Sequence, residues 1–321
     1  MRVTVIGAGA VGGWLAATLA DGGAKVAVVA RARALDAIRR NGLVVFRGEK
    51  QRSYALPVAA HAGDLPTPDA VVLAVKTYAF ADVVAAAEPA LAHGPIFVTA
   101  MNGLPWWFLQ GLPGPLEGQR LEAVDPGGRA AALLGSVRPV GAVVHASMRV
   151  EVPGVIRIAA VDRLILGEPS GNASGKTAEL VRLVNAGGAE GVVTGDIRRE
   201  IWTKLWGNMN MNPVSALTRL TAHGIFGEPR LFALVREMMT EFVRVGDRLG
   251  IALPMTVDER LQVTQRLGDF RTSMLNDAEA GRALEVEGLL GVVVELAEKL
   301  GEPVPASRAV YALARGLNRG R

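Results

Sequence analysis

The 321-residue chain reads as a doubly wound α/β domain followed by an all-α domain, and three observations predict this. A strand-like run at residues 2–6 leads directly into the glycine loop Gly7-Ala8-Gly9-Ala10-Val11-Gly12. Apolar runs and helical patterns then alternate as far as residue 195, as they do in a mostly parallel sheet with helices on both faces. From Asp196 onward the pattern is almost wholly helical. These features place one domain at 1–195 and a second at 196–321.

The elements follow in order. A helix is expected at 13–21 and a second strand at 24–30. A short helix at 35–40 is closed by Asn41-Gly42, and short strands are expected at 43–46 and 54–58. Residues 70–75 form a continuous apolar run, as in a strand buried on both faces. An alanine-rich helix at 78–91 and a strand at 95–100 complete the alternation. The stretch 103–128 is rich in proline and glycine and carries the cluster Trp106-Trp107-Phe108, and a long irregular segment of this kind is usually functional or mobile. Strands at 140–150 and 155–166 flank Pro153-Gly154, and a helix is expected at 177–186. In the second domain Asp196 is placed to cap a long helix, with others at 230–249, 256–267, 284–300 and 307–318.

A lone G-x-G-x-x-G is weak evidence. Here it follows a strand and opens a helix, the context in which Gly7 makes the tight turn and Gly9 lets the backbone approach a pyrophosphate. Gly12 lets the helix pack on the strand, and the helix N-terminus faces the anion. An NAD site usually has an acid about 20 residues on, to bond the ribose 2′-OH. This chain has Arg31 there, then Arg33, and no acid before Asp36. A guanidinium binds a 2′-phosphate through two parallel charge-assisted bonds, so the loop residues 7–12 with Arg31 point to NADP(H). The plain alternative is two solvated arginines after a strand.

Composition excludes several function classes. There is no cysteine, so disulfides, thiol nucleophiles and thiolate metal sites are excluded together. The four histidines are too scattered to show a ligand spacing, and no metal is expected. The net charge of +4 is a small surplus with no block of five or six like charges, so neither nucleic acid nor membrane is an expected partner. A mildly positive surface suits anionic small molecules. No apolar stretch is long enough to span a bilayer and no signal peptide is visible, so a soluble cytoplasmic protein is expected.

The run Ile201-Trp202-Thr203-Lys204-Leu205-Trp206-Gly207-Asn208-Met209-Asn210-Met211-Asn212-Pro213 carries the chemistry. Lys204, Asn208 and Asn212 are four residues apart and share one helix face. Pro213 disfavours helical geometry at Asn212, which is expected at the helix end, turned into a cavity. Hydride arrival at a carbonyl carbon builds negative charge on oxygen, which a lysine neutralises by donating a proton. Amides can fix hydroxyl and carbonyl groups. A solvated lysine with helix-ending asparagines is the bland reading of the same residues. Lys76 and Asn102 each lie just past an expected strand, where ligands bind in open α/β sheets, although Asn-Gly is also an ordinary turn.

Taken together, these residues resemble the ketopantoate reductase family. The likeness rests on G-A-G-A-V-G at 7–12, Arg31, A-V-K at 74–76, N-G at 102–103 and the run W-T-K-L-W-G-N-M-N-M-N-P. It rests also on S-M-L-N-D at 273–277 and E-V-E at 285–287. The resemblance implies a Rossmann domain, a helical domain like that of 6-phosphogluconate dehydrogenase, and NADPH-dependent reduction of a 2-keto acid. The acid implied is 2-dehydropantoate, reduced to (R)-pantoate for pantothenate and coenzyme A synthesis. By that likeness Lys204 is the general acid, Asn208 and Asn212 hold substrate, and Ser273 binds its carboxylate. Glu285 would bond near the nicotinamide and Lys204, with Lys76 and Asn102 lining the nicotinamide end.

Two features depart from the family pattern. Ala222 stands where the family often has a further asparagine, and the Trp106–Phe108 segment is longer than in compact members. That segment is either a lid or wall for a bulkier keto acid, or a set of aromatics packed on the domain. A paralogue acting on a branched or aromatic 2-keto acid is therefore a competing expectation, and an NADPH-binding sensor without turnover is a third. Helical second domains often supply dimer contacts, so a homodimer is an option that nothing in the sequence decides.

Overall fold

The computed structural model describes residues 1–135 and 137–319. The chain folds into two compact units, Met1–Met101 with Arg129–Arg198, and Asn102–Gly128 with Arg199–Arg321.

In the first unit, β1 (Arg2–Ile6) runs through the glycine loop into α1 (Ala10–Asp21). Next come β2 (Lys25–Val29), α2 (Ala32–Asn41), β3 (Leu43–Arg47), β4 (Lys50–Tyr54) and the short β5 (Val58–Ala59). They are followed by β6 (Ala70–Leu73), α3 (Phe80–Leu91), β7 (Ile96–Thr99) and α4 (Arg129–Leu134). A long hairpin of β8 (Arg138–Val152) and β9 (Val155–Gly167), then α5 (Gly175–Ala186) and β10 (Glu190–Val193), complete the unit.

The strands join one sheet in the order β4-β3-β9-β8-β7-β6-β1-β2-β5, with β10 beside the second half of β9. Its run β5-β2-β1-β6-β7-β8 is wholly parallel and has the Rossmann order, reversing between β1 and β6. In sheets of this order ligands bind at the carboxyl ends of the strands beside the reversal, where β1 runs into the glycine loop. Buried Val3, Val5, Val72 and Val98 meet Trp14, Leu15 and Leu19 of α1, each fully buried side chain contributing about 1.5–3 kcal/mol. A small void among Leu15, Leu19, Val72, Val98 and Leu164 belongs to this core and has no polar lining to orient a ligand.

The expected strand at 54–58 is corrected. The strand is β4, at Lys50–Tyr54, and it pairs antiparallel with β3 as an exposed edge. Lys50, Gln51, Arg52 and Ser53 show no apolar alternation because an edge strand buries little, and charge on an edge discourages pairing with other chains.

α6 (Ile197–Thr218) carries the chain into the second unit. It is followed by α7 (Ala222–Gly227), α8 (Pro229–Leu249), α9 (Val257–Arg266) and α10 (Ser273–Glu279). A π-helical turn at Glu287–Gly291 leads into α11 (Val292–Leu300), and α12 (Pro305–Asn318) ends the described chain. α6 is the core helix, with Trp202, Leu205, Trp206 and Met209 all buried. Trp206 Nε1 donates to the Met239 carbonyl of α8 at 3.1 Å. Glu241 of α8 is buried and accepts the Ala306 and Ser307 amides at the start of α12, each at 2.8 Å, where a helix N-terminus favours a carboxylate. Among the described residues no helix is long and apolar enough to cross a membrane.

Two further expectations are corrected here. Residues 103–128 pack with the helical unit, although their place in sequence put them in the first domain. Trp107 and Phe108 are 1% and 0% exposed, and Phe108 lies 6.0 Å from the Trp202 ring, which stacks on Phe242 at 4.0 Å. Glu295 of α11 accepts the amides of Glu122 and Ala123 at 2.9 and 2.8 Å, fastening the far end of the segment. The aromatic cluster is therefore core, not a lid or an exposed wall. The expectation that α6 ends near Asn212 also fails, because the helix continues five residues past Pro213 to Thr218. A mid-helix proline costs about 3 kcal/mol, and burial of Met209, Met211, Pro213 and Val214 outweighs that cost. Asn210 and Ser215, one on each side of the proline, donate side-chain bonds to the Trp206 and Asn212 carbonyls at 2.6 and 2.9 Å.

Candidate active site

The glycine loop has the geometry that dinucleotide binding needs. Gly7 takes φ 107° and a Cβ there would lie 2.4 Å from the Ala74 carbonyl oxygen. A Cβ at Gly12 would lie 1.8 Å from the Gly7 carbonyl oxygen, so only glycine lets α1 start this close to β1. A Cβ on Gly9 would meet nothing within 4 Å: the backbone here faces open space at the N-terminus of α1. The first amides of a helix lack intrahelical acceptors and point at any anion placed there. Ala8, Ala10 and Val11 fill the remaining loop positions, partly exposed. Arg31 follows β2 and is exposed, and Lys76 follows β6 at the start of a tight turn. The loop geometry fits the pyrophosphate of a dinucleotide.

In the second unit α6 presents Lys204, Asn208 and Asn212 along one face of an uninterrupted helix. Lys204 keeps some accessible surface, yet protein surrounds its ammonium densely. Desolvation pushes its pKa down to about 8, and the charge of Glu285 opposes that fall. Glu285 is itself buried, just ahead of the π-helical turn. Such turns are frequent at functional sites. The side-chain amides of Asn208 and Asn212 have no hydrogen-bond partner among the described residues, although Asn212 is only 6% exposed.

Ser273 is the first residue of α10 and is exposed. Its place is set by neighbours that sequence reasoning missed. Ser215 Oγ donates to the Asn212 carbonyl at 2.9 Å and lies 2.5 Å from Thr272 Oγ1. Thr272 in turn caps α10 by accepting the Leu275 amide at 3.0 Å. This chain of bonds ties Ser273 to the end of the Lys204-Asn208-Asn212 stripe. Threonine ahead of an apolar run was the available signal for the cap. Asn102 packs with the same unit, since a Cβ on the adjacent Gly103 (φ 80°) would lie 2.2 Å from the Gly288 carbonyl oxygen of the π-helical turn. Ala222 is buried at the start of α7, its amide donating to the Phe270 carbonyl at 3.0 Å, and it contributes only a methyl group.

The first unit thus holds the loop 7–12, Arg31 and Lys76, and the second holds Asn102, Lys204, Asn208, Asn212, Ser273 and Glu285. Comparison with known proteins identifies the family. Residues 3–106 match the family described as ketopantoate reductase PanE/ApbA, and residues 196–318 match its C-terminal domain. A 2-dehydropantoate 2-reductase of Mesorhizobium japonicum is 41% identical over 318 residues, covering 99% of this chain and 98% of that protein. A solved structure from Ralstonia solanacearum MolK2 has a TM-score of 0.93 at 39% identity, covering 100% of this chain and 98% of that one. The 2-dehydropantoate 2-reductase of Methylococcus capsulatus has a TM-score of 0.85 at 27% identity, covering 100% and 97%.

The fold and these relatives define an oxidoreductase acting on a CH–OH group, of the NAD(P)H-dependent kind. The chain belongs to the ketopantoate reductase family.

Proposed function

We propose that the protein reduces a 2-keto acid with NADPH, converting 2-dehydropantoate to (R)-pantoate. The observation that carries this reading is the polar face of α6, where a lysine with a pKa of about 8 precedes two amides without protein partners. A lysine so tuned is protonated at neutral pH and yet gives up its proton more readily than a solvated one. Bound NADPH would supply hydride to the carbonyl carbon.

The residues do the rest. Lys204 donates its proton to the carbonyl oxygen as negative charge develops there, and Glu285 sustains its charged form. Asn208 and Asn212 hold the carbonyl and hydroxyl groups, and Ser273 donates to the carboxylate. Gly7 to Gly12 receive the pyrophosphate, and Lys76 and Asn102 line the nicotinamide end. Arg31 binds the 2′-phosphate, supported by its exposure after β2 and by the lack of an acid before Asp36.

The test is NADPH oxidation by the purified protein with 2-dehydropantoate, beside branched and aromatic 2-keto acids and with NADH in parallel. Highest kcat/KM for 2-dehydropantoate with NADPH is expected. Preference for a bulkier acid would keep the chemistry and replace the substrate, and preference for NADH would remove the role given to Arg31.

A further inference from the structure

The chain on either side of Glu285 is gripped by α12, a helix to which the scheme above gives no part. Leu284, 2% exposed, precedes Glu285 in a stretch that belongs to no helix or strand. Its amide donates to Asn318 Oδ1 at 2.8 Å, and its carbonyl accepts from Asn318 Nδ2 at 3.3 Å. A side-chain amide that takes both backbone groups of one residue acts as a paired strand would, and fixes the direction of the chain there.

Two residues beyond Glu285, Glu287 opens the π-helical turn. Its carboxylate pairs with Arg315 Nε at 3.1 Å and accepts the Tyr311 hydroxyl. Gly291 closes the same turn, and a Cβ there would lie 2.7 Å from Glu287 Oε2 and 3.0 Å from the Tyr311 ring. Glycine thus leaves room for the bond between Glu287 and Tyr311. Tyr311, Arg315 and Asn318 are spaced by four and three residues, so one face of α12 makes every one of these contacts. Burial of Leu284, Leu289 and Leu290 holds the segment in the core but is non-directional, whereas hydrogen bonds set an orientation.

We propose that Asn318 is a positioning residue for the proton donor: α12 clasps the chain on both sides of Glu285 and keeps its carboxylate within reach of Lys204. This rests on the reductase reading above. Within the clasp, burial and the bond to Glu287 push the Tyr311 hydroxyl up to about 12, and an arginine stays charged at neutral pH. Glu298, which also acts on Tyr311, pairs with Arg308 at 3.3 Å. Lys204 is the group that responds, and the charge acting on it is that of Glu285.

The test is an NMR titration of protein carrying ¹³C-labelled lysine, with the Lys204 signal assigned by its loss in Lys204→Ala. Asn318→Ala frees the chain ahead of Glu285 and should lower the proton affinity of Lys204 about three- to tenfold. Tyr311→Phe opens the other side of the clasp and should act in the same direction. On a Glu285→Gln background neither substitution should move Lys204 further, because the charge they misplace is gone. Ala314→Gly controls for loosening of the helix alone. Ala314 is buried on α12 outside the clasp, so Tm should fall with the Lys204 titration unmoved.

A Lys204 titration unmoved in Asn318→Ala or, should that variant not fold, in Tyr311→Phe would overturn the positioning role. So would an equal shift in Ala314→Gly or on the Glu285→Gln background. The expected shifts in a protein that reduces no 2-keto acid would overturn the reductase reading alone. Unmoved Lys204 in a protein that reduces 2-dehydropantoate would overturn the clasp alone.

Discussion

Glu285 opposes the burial that drives the Lys204 ammonium toward its neutral form. In the mechanism proposed above, the balance between them sets where the enzyme works on the pH scale. Donation requires protonated Lys204, so kcat/KM should be level in the neutral range and fall as pH rises through about 8. Glu285→Gln removes the charge that raises the lysine pKa, and the alkaline limb should move to lower pH. Lys204→Ala should cut kcat by about 10²–10⁴-fold while NADPH binding is kept. An alkaline limb that stays in place in Glu285→Gln would break the link between the two residues.

Arg31→Ala should weaken NADPH about tenfold or more by loss of charge-assisted bonds, and leave NADH nearly unaffected. Fluorescence titration with both nucleotides measures this. Equal losses would mean that Arg31 does not meet the 2′-phosphate.

Two glycines of the loop should respond differently to one added methyl. Gly12→Ala sets a Cβ 1.8 Å from the Gly7 carbonyl oxygen and should lower stability by about 1–3 kcal/mol or more. Gly9→Ala has open space, so its melting temperature without nucleotide should match wild type. NADPH should then raise the Tm of Gly9→Ala less than that of wild type, because the methyl occupies the anion's approach. Thermal melts with and without nucleotide separate the two effects.

Phe108→Ala should behave as a core truncation, costing about 3–5 kcal/mol. The ranking of 2-keto acids by kcat/KM should be unchanged, since the ring is wholly buried against Trp202. A new preference for bulky acids in this variant would restore the idea of a selective wall.

The doubly wound parallel sheet was readable in outline because β1, β6 and β7 are almost wholly buried and so appear as mostly apolar runs. β4 was placed wrongly because an exposed edge strand carries no such pattern. That Lys204, Asn208 and Asn212 share one helix face was legible from periodicity, which depends only on local helix geometry. The continuation of α6 past Pro213 was not visible, since tertiary burial overrode a local preference. The Ser215–Thr272 link was hidden for another reason: it depends on helices distant in sequence meeting side by side. The placement of 103–128 has the same origin, with Glu295 and Trp202 fastening it from more than 90 residues away.

Because α6 runs unbroken from Lys204 beyond Asn212, it works as a ruled scale on which the proposed recognition groups are graduations about 6 Å apart. A scale of this kind is indexed by residue count. Deleting one residue between Lys204 and Asn208 would swing both amides about 100° around the axis relative to the lysine, without touching any of the three side chains. New substrate preferences in such an enzyme are therefore open to exchange of side chains at fixed marks, while changes of length along the scale are closed to it.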